Sequence, residues 1–401
     1  MVAGLSAPLA NASADLAQVE VVTSIERLVA IEGEYDHLNN VTSNTLPFAL
    51  HGWHVAWWKF LSQSSAAVRD SLLIHVVRDR TGNPIAIVPL VLTQRTQLGL
   101  RVASVAAIGS DPALTEIRTP LVAPGHELRA LLAVQQRLSE DVRWDWIHWT
   151  GLSPRLAGAL ESACPRRSCL LEWAQPLEDG VLDLESNWER FHAKLKRNIR
   201  ESLRHCYNSL KREGLRVDFE VARTQAEVKR GVTLLLPLHA MRAGAKGTIQ
   251  HPDRFGTARF RAFLYEACDR LASRDKVRVF LLKHRDEVVA ARLAFVVGDS
   301  MYLYYSGFDP AWGKFGVMTT TVAEAIKYAI SCRLRTVNLS PGIDVSKTRW
   351  GVRRIAFREA IQGHGRLRSR LALAAYRHAK GVGPRPLLGA VVRSLPMRSW
   401  T

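Results

Sequence analysis

Residues 301–351 read MYLYYSGFDP AWGKFGVMTT TVAEAIKYAI SCRLRTVNLS PGIDVSKTRW G. The pattern predicts a strand over 301–306, a glycine-bearing loop over 307–316, a helix over about 317–332 and a second strand over 336–340. A polar turn over 341–347 then leads to Arg349, Trp350 and Gly351. A strand that delivers a loop into a helix N-terminus presents unpaired backbone N–H groups and a positive dipole end to an incoming anion. An anionic donor or cofactor is therefore the first ligand this stretch suggests.

The chain has 401 residues, 47% hydrophobic and 23% charged, too many for one ordinary core, and reads as a globular protein of two domains. Its longest apolar run, 85–92, is broken by Pro89 and too short to cross a bilayer, and the first residues lack the pattern of a signal peptide. Cytoplasmic residence is the resulting expectation. The five cysteines are scattered, with no C-x-x-C pair, so neither a zinc site nor a redox dithiol is expected, and no metal. The net charge is +18, and 13 Lys/Arg against the single acid Glu359 fall within 347–401. A basic segment of this kind is either simply solvated or meets nucleic acid, an anionic membrane surface or an acidic substrate.

Before the opening stretch, residues 1–18 show no periodicity and read as a flexible leader. A strand over 19–23 and a helix over 25–38 follow. In a helix starting near Gly52, residues Trp53, Ala56, Trp57 and Phe60 share one face, the pattern of a packed aromatic core. Strands over 71–78 and 84–93 form a meander, and further strands over 100–108 and 146–150 flank a helix over 127–141. Ser186 and Glu189 have capping-box spacing, which predicts one amphipathic helix from there to Gly214. Its outer side carries Lys194, Lys196, Arg197, Arg200 and Arg204, either solvated or facing phosphates. Beyond it the pattern is strand over 215–221, helix over 224–239, polar insert over 240–256, helix over 257–273, then strands over 277–283 and 287–297.

This order resembles the GNAT acetyltransferase fold. The runs 48–60, 191–214, Tyr304-Tyr305-Ser306-Gly307-Phe308-Asp309-Pro310 and Lys347-Thr348-Arg349-Trp350-Gly351 are similar to the CelD-like, BioF-associated type, a relative of the Fem-type peptidoglycan aminoacyltransferases. The resemblance spans about residues 20–360. It implies an α/β (α+β) fold of two tandem GNAT-like units, each a mixed, mostly antiparallel sheet flanked by helices. The expected layout is an N-terminal unit over 19–182 with a structural or acceptor-side role, a C-terminal unit over 183–362 with the acyl-donor site, and a basic tail over 363–401.

The activity implied is N-acyl transfer from acyl-CoA, acetyl-CoA first among them, to an amine of a small biosynthetic or sugar substrate by direct attack. The pantetheine arm is expected on the backbone of 291–296, including Arg292, Ala294 and Phe295. The pyrophosphate is expected on Trp312, Gly313, Lys314, Phe315, Gly316 and Val317, with Thr319 at the helix start. The usual signature Arg/Gln-x-x-Gly-x-Gly/Ala is missing from this loop, and Lys314 is the substitute charge.

Such chemistry needs a neutral amine, a route for its proton and support for the developing oxyanion. No Gly-x-Ser-x-Gly nucleophile motif occurs. Asp344 is expected to orient or deprotonate the amine, Lys347 to stabilise negative charge or protonate the leaving group, and Trp350 to contact substrate. Tyr304 and Tyr305 are expected on opposite faces of their strand, so one at most reaches the cleft, with Tyr305 the candidate. Asp309 before Pro310 reads as a turn-former. Arg197 and Arg200, about a helical turn apart, are candidates to clamp an acidic acceptor or the donor's phosphates. Two further readings stay open: an aminoacyl-tRNA-dependent Fem-like transferase with tRNA as partner, and a non-catalytic accessory protein of exopolysaccharide or envelope assembly.

Overall fold

The computed structural model describes residues 17–97, 100–110, 114–141, 143–164, 169–245 and 252–379. The expected leader therefore falls almost entirely outside the described residues, as do residues 246–251 of the polar insert.

The first unit runs β1 (Gln18–Val22), α1 (Ile25–Ala30), α2 (Glu32–Val41), a 3-10 turn (Pro47–Ala49), α3 (His51–Leu61), β2 (Val68–Arg78), β3 (Pro84–Gln97) and β4 (Leu100–Ala107). It continues with β5 (Leu121–Val122), α4 (Glu127–Glu140), β6 (Trp146–Leu152), α5 (Pro154–Ala163), β7 (Cys169–Trp173) and β8 (Leu177–Asp183). Two helices, α6 (Trp188–Lys194) and α7 (Arg197–Arg212), lead to the second unit: β9 (Asp218–Ala222), α8 (Gln225–Gly244), α9 (Ala258–Ala272), β10 (Val277–His284), β11 (Glu287–Val297) and β12 (Ser300–Phe308). A 3-10 turn (Pro310–Phe315), α10 (Val317–Ser331), β13 (Thr336–Pro341), α11 (Val345–Thr348), β14 (Arg353–His364) and α12 (Leu367–Ala379) complete it.

The two units repeat one plan. In each, a strand, two or more helices and an antiparallel meander lead to a strand that pairs in parallel with the strand beyond the next long helix. These pairs are β4 with β6 and β12 with β13, each over three residues. The closing strands are exchanged: β8, from the first unit, pairs with β13 of the second, and β14, from the second, pairs with β6 of the first. β8 and β14 also pair with each other, so a single 14-stranded sheet runs through the molecule.

The largest apolar cluster crosses the same boundary. Trp53 of α3 is fully buried, and its ring meets Phe48, Phe263, Phe295 and Tyr304 at centroid distances of 4.9 to 5.9 Å. Its indole N–H still finds an acceptor, Thr115 Oγ1 at 3.1 Å, which satisfies the polar end of a buried tryptophan. Trp144, Trp146 and Trp149 are buried as well.

Local backbone departs from the expectations at three places. The helix expected over 25–38 breaks at Ile31 (φ −91°, ψ 19°). The long basic helix is two helices, because Leu195 and Lys196 are extended (ψ 144° and 149°), and Asn187, not Ser186, caps the first by accepting from Arg190 N at 2.9 Å. Residues 363–379 are the end of β14 and α12 rather than a free tail. Ser369 donates to Asp145 Oδ1 at 2.8 Å and Leu373 is buried, which ties α12 to the first unit. Residues 380–401 lie outside the described residues.

Candidate active site

The turn between β12 and α10 is fixed by three residue types. Asp309 accepts from Ala311 N at 2.9 Å, which makes it the turn-former its place before Pro310 suggests. Pro310 begins the 3-10 turn, where its missing N–H costs nothing. Gly316 adopts φ 63°, ψ 33°, and a Cβ on it would lie 2.5 Å from Cys206 Sγ of α7, so both conformation and space require glycine. The amides of Thr319 and Thr320 bond back to Gly316 O, while the amides ahead of them open α10. Over this helix start lies Arg349, whose Nη2 donates to Thr319 Oγ1 at 2.8 Å and whose Nε is buried with no partner. No carboxylate pairs with Arg349 among the described residues. A guanidinium and a helix N-terminus thus face the same spot, a favourable place for an anion. Lys314 is exposed, its ammonium 4.8 Å from the centre of its neighbour's ring, Phe315.

β12 and β13 pair only over Ser300–Tyr302 and Thr336–Asn338 and then separate. Past Tyr302, β12 has no strand partner on that side among the described residues. The expected arm-binding stretch in β11 is corrected here. β11 pairs with β10 on one side and β12 on the other, leaving no free edge at Arg292, Ala294 or Phe295, and the last two are fully buried. The strand next to the loop is β12. It also carries a bulge: Arg292 pairs with Ser306 while Ala294 pairs with Leu303, so three steps on β12 face two on β11. The extra residue breaks the alternation. Tyr304 and Tyr305 therefore pack on the same apolar cluster, their ring centres 4.4 Å apart, rather than on opposite faces.

Where the strands part, a polar cluster gathers from five elements. Glu116, on the segment between β4 and β5, accepts from the Tyr302 hydroxyl at 2.6 Å. That segment occupies, in the first unit, the position that the 3-10 turn before α10 occupies in the second. It is held by Tyr304, whose hydroxyl donates to Leu114 O at 2.5 Å, and by the Trp53 bond to Thr115. Enclosure by protein pushes the Glu116 carboxyl up to about 7, against the pull of the Tyr302 hydrogen bond and of the Lys347 and Arg292 charges. Asp179 of β8 is buried and accepts from Asn338 Nδ2 at 2.5 Å and Gly180 N at 3.1 Å; burial raises it to about 6.

Lys347 of α11 donates to Ser340 O at 3.1 Å, to Ser340 Oγ at 3.4 Å and to Pro341 O. It clamps an irregular stretch of β13 in which Ser340 takes φ 67°, and burial lowers its pKa. Asp179 and Asn338 also line a cavity of about 400 Å3 between the units, together with Val181, Ile355, Phe357 and Leu121.

Of the residues expected from sequence, Lys347 and Arg292 come together here through side-chain charge. Phe315 and Val317 are core under the turn, while Trp312, Gly313 and Thr319 are at least partly accessible around it. Asp344 is an exposed helix cap that accepts from Ser346 N at 2.8 Å; although burial works the other way, the Ser346 hydroxyl and the Lys347 charge hold its carboxyl low, which is wrong for a base. Tyr305 packs on His239 and Phe255, at 5.3 and 5.0 Å between ring centres. Trp350 is buried in the core beneath α10 instead of facing a substrate. Arg197 and Arg200 are exposed on α7, and Arg197 pairs with Glu201 at 2.6 Å.

Glu116, Asp179, Asn338 and Tyr302 carry no motif, and Arg349 lies in the Lys347–Gly351 run without being singled out there. The one available signal was an acid set among apolar residues, as in Leu114-Thr115-Glu116-Ile117.

Among the described residues no group of three or more His, Cys, Asp or Glu could hold a metal, and no helix is long and apolar enough to cross a membrane.

Residues 197–348 match the family described as "Acetyltransferase (GNAT) domain". This stretch matches a GNAT-type acetyltransferase domain, which supports an acyltransferase. Among solved structures, the chain is similar to FemX, with 12% identity and a TM-score of 0.56 over 85% of this chain and 96% of that one. It is also similar to a conserved Bacteroides thetaiotaomicron protein of unknown function, with 12% identity and a TM-score of 0.50 over 86% of this chain and 100% of that one. A third is the C-terminal domain of a putative lysylphosphatidylglycerol synthetase from Agrobacterium fabrum, with 13% identity and a TM-score of 0.50 over 88% and 96%. At these identities the likeness is one of fold. No curated protein matches the sequence.

Proposed function

We propose that the protein transfers an acyl group from acyl-CoA to the amine of a small acceptor, with Glu116 as general base. The observation that carries this reading is the path from the Arg349-flanked start of α10, along the open edge of β12, to Glu116 at its inner end. Arg349, Thr319 and the first amides of α10 would hold the donor's phosphates, and the β12 backbone past Tyr302 would hold its arm. The donor supplies an activated thioester carbonyl. The acceptor enters through the cavity beside Asp179, and Glu116 takes the proton as the amine nitrogen bonds to the carbonyl carbon and the thiolate leaves. A carboxyl poised near 7 suits that task at neutral pH. Lys347 holds the β13 irregularity and keeps a positive charge beside the two carboxylates.

Calorimetric titration with acetyl-CoA and longer acyl-CoAs tests this reading. Micromolar binding weakened by Arg349→Gln is expected, and no binding to any of them would overturn it.

One observation favours a second donor class. The exposed Arg197, Arg200 and Arg204 lie on α7, which packs against the start of α10 at Cys206 and Gly316. A basic helix face there suits a polyanionic donor such as aminoacyl-tRNA. Binding of tRNA that falls steeply with salt would support it, and salt-independent or absent binding would reject it.

A further inference from the structure

Two arginines beside the acyl-transfer centre share one hydroxyl, and neither is in direct contact with a carboxylate among the described residues. Arg242, in the last turn of α8, donates through Nη1 to Ser306 Oγ at 2.7 Å, and Arg292, from β11, donates through Nη2 to the same oxygen at 3.3 Å. Neither makes an ion pair with a carboxylate among the described residues. Arg292 Nε is buried and has no hydrogen-bond partner. Burial pulls both guanidinium pKa values down, Arg292 to about 9, with the Arg242 charge adding to the effect and the Glu116 carboxylate opposing it. Two like charges held this close in an enclosed place repel one another, and a bound anion would relieve that repulsion.

The hydrogen-bond inventory gives the same answer. A serine oxygen has two lone pairs, and here two guanidinium groups use them, so the Ser306 O–H proton is left to donate elsewhere. His239 fixes the backbone of this residue, its Nδ1 lying 3.0 Å from Ser306 O while Nε2 accepts from Arg254 N at 3.4 Å; the tautomer that satisfies both contacts donates from Nδ1. A free hydroxyl proton, the unpartnered Nε and the remaining guanidinium N–H groups form a cradle made only of donors. Its position is equally specific. Ser306 lies on the stretch of β12 that has parted from β13, and the Arg292 charge is felt by both Glu116 and Lys347.

We propose that Arg242, Arg292 and Ser306 form a subsite for an anionic group, a carboxylate or a phosphate, carried by a substrate next to its reacting centre. The subsite rests on the acyl-transfer reading for its role, not for its existence. The anion has two sources: the acyl group of the donor, as in a dicarboxylic acyl chain, or the acceptor, as in an amino acid.

The test uses the full chain and begins without any acyl-CoA. Succinate and inorganic phosphate are titrated calorimetrically into the wild type and into Arg242→Gln, Arg292→Gln and Ser306→Ala, with Arg349→Gln as a control for the site at α10. At least tenfold weaker binding of one probe in the first three variants, and not in the control, is the expected result. Equal affinity across all five proteins, or no binding of either probe to the wild type, would overturn the subsite. If Arg292→Gln fails to fold, Arg242→Gln and Ser306→Ala carry the comparison. In a second step acetyl-CoA is compared with succinyl-CoA. A preference for succinyl-CoA that the variants abolish places the anion on the acyl group, and equal binding of the two donors, with the probe result retained, places it on the acceptor. Failure of both donors to bind counts against the acyl-CoA reading alone, because the first step is independent of it.

Discussion

The Tyr302 hydroxyl donates to Glu116 Oε2 at 2.6 Å across 186 residues of sequence, joining a strand of the second unit to a loop of the first. If Glu116 is the base, Glu116→Gln lowers kcat by about 10²- to 10⁴-fold. The carboxyl is protonated below about 7 and free above it, so the wild-type rate rises as pH increases through that value. The pH profile of kcat/KM checks this. In Tyr302→Phe the hydrogen bond that favours the charged form is gone, and the midpoint moves to higher pH.

In the proposed donor site Arg349 takes the place of the missing signature cation. Arg349→Gln should weaken acyl-CoA binding by about 10- to 100-fold, the size of a charge-assisted hydrogen bond, with little change in Tm. Lys314→Ala, at an exposed side chain, should leave the affinity within about twofold. Calorimetry on both variants separates the two assignments.

Gly316→Ala places a Cβ in left-handed backbone, at a cost of about 1–2 kcal/mol, and drives it against Cys206 Sγ. A fall in Tm of several degrees is expected. Adding Cys206→Ala should recover the steric part and leave the conformational part. Differential scanning calorimetry of the wild type and the two variants reads both.

Trp53→Phe removes the indole donor to Thr115 and part of the ring that joins the two units. The lost hydrogen bond is worth about 1 kcal/mol and the cavity adds to it. Because Thr115 adjoins Glu116, kcat should fall together with stability, whereas a purely structural tryptophan would affect only the denaturation midpoint.

His54 and His75 are buried and kept neutral by burial, their pKa values lowered from 6.5 to about 3 and about 4. The unfolded chain takes up these protons at about 6.5 and the folded one does not. Stability is therefore intact above pH 6.5 and is lost as pH falls toward 4. Urea midpoints measured across that range should drop more steeply in the wild type than in a His75→Gln variant.

The strand, turn and helix around Asp309, Pro310 and Gly316 were legible because each residue acts through its own backbone. Legibility ended where partners come from far along the chain. Glu116 and Asp179 acquire their character only when β12, β13 and β8 lie side by side, and no spacing rule encodes that. The bulge at Tyr304 and Tyr305 hides from a period of two, and the extended pair Leu195 and Lys196 hides within a helical repeat that continues across it. Counting strands back from the loop pointed to β11, which is paired on both sides, because sequence order says nothing of which edge stays unpaired.

The exchanged strands have a consequence for how the molecule is made. β14 is the last of the fourteen to emerge during synthesis, and until it arrives the edge of β6 exposes a ladder of unpaired N–H and C=O groups. β8 must likewise wait for β13. Closure of the whole sheet is postponed to the final stage, when an identical neighbour offers the same missing strand. Two chains folding side by side would then be able to trade β14. The intertwined dimer that results would depend on crowding during folding, not on any attraction between finished surfaces.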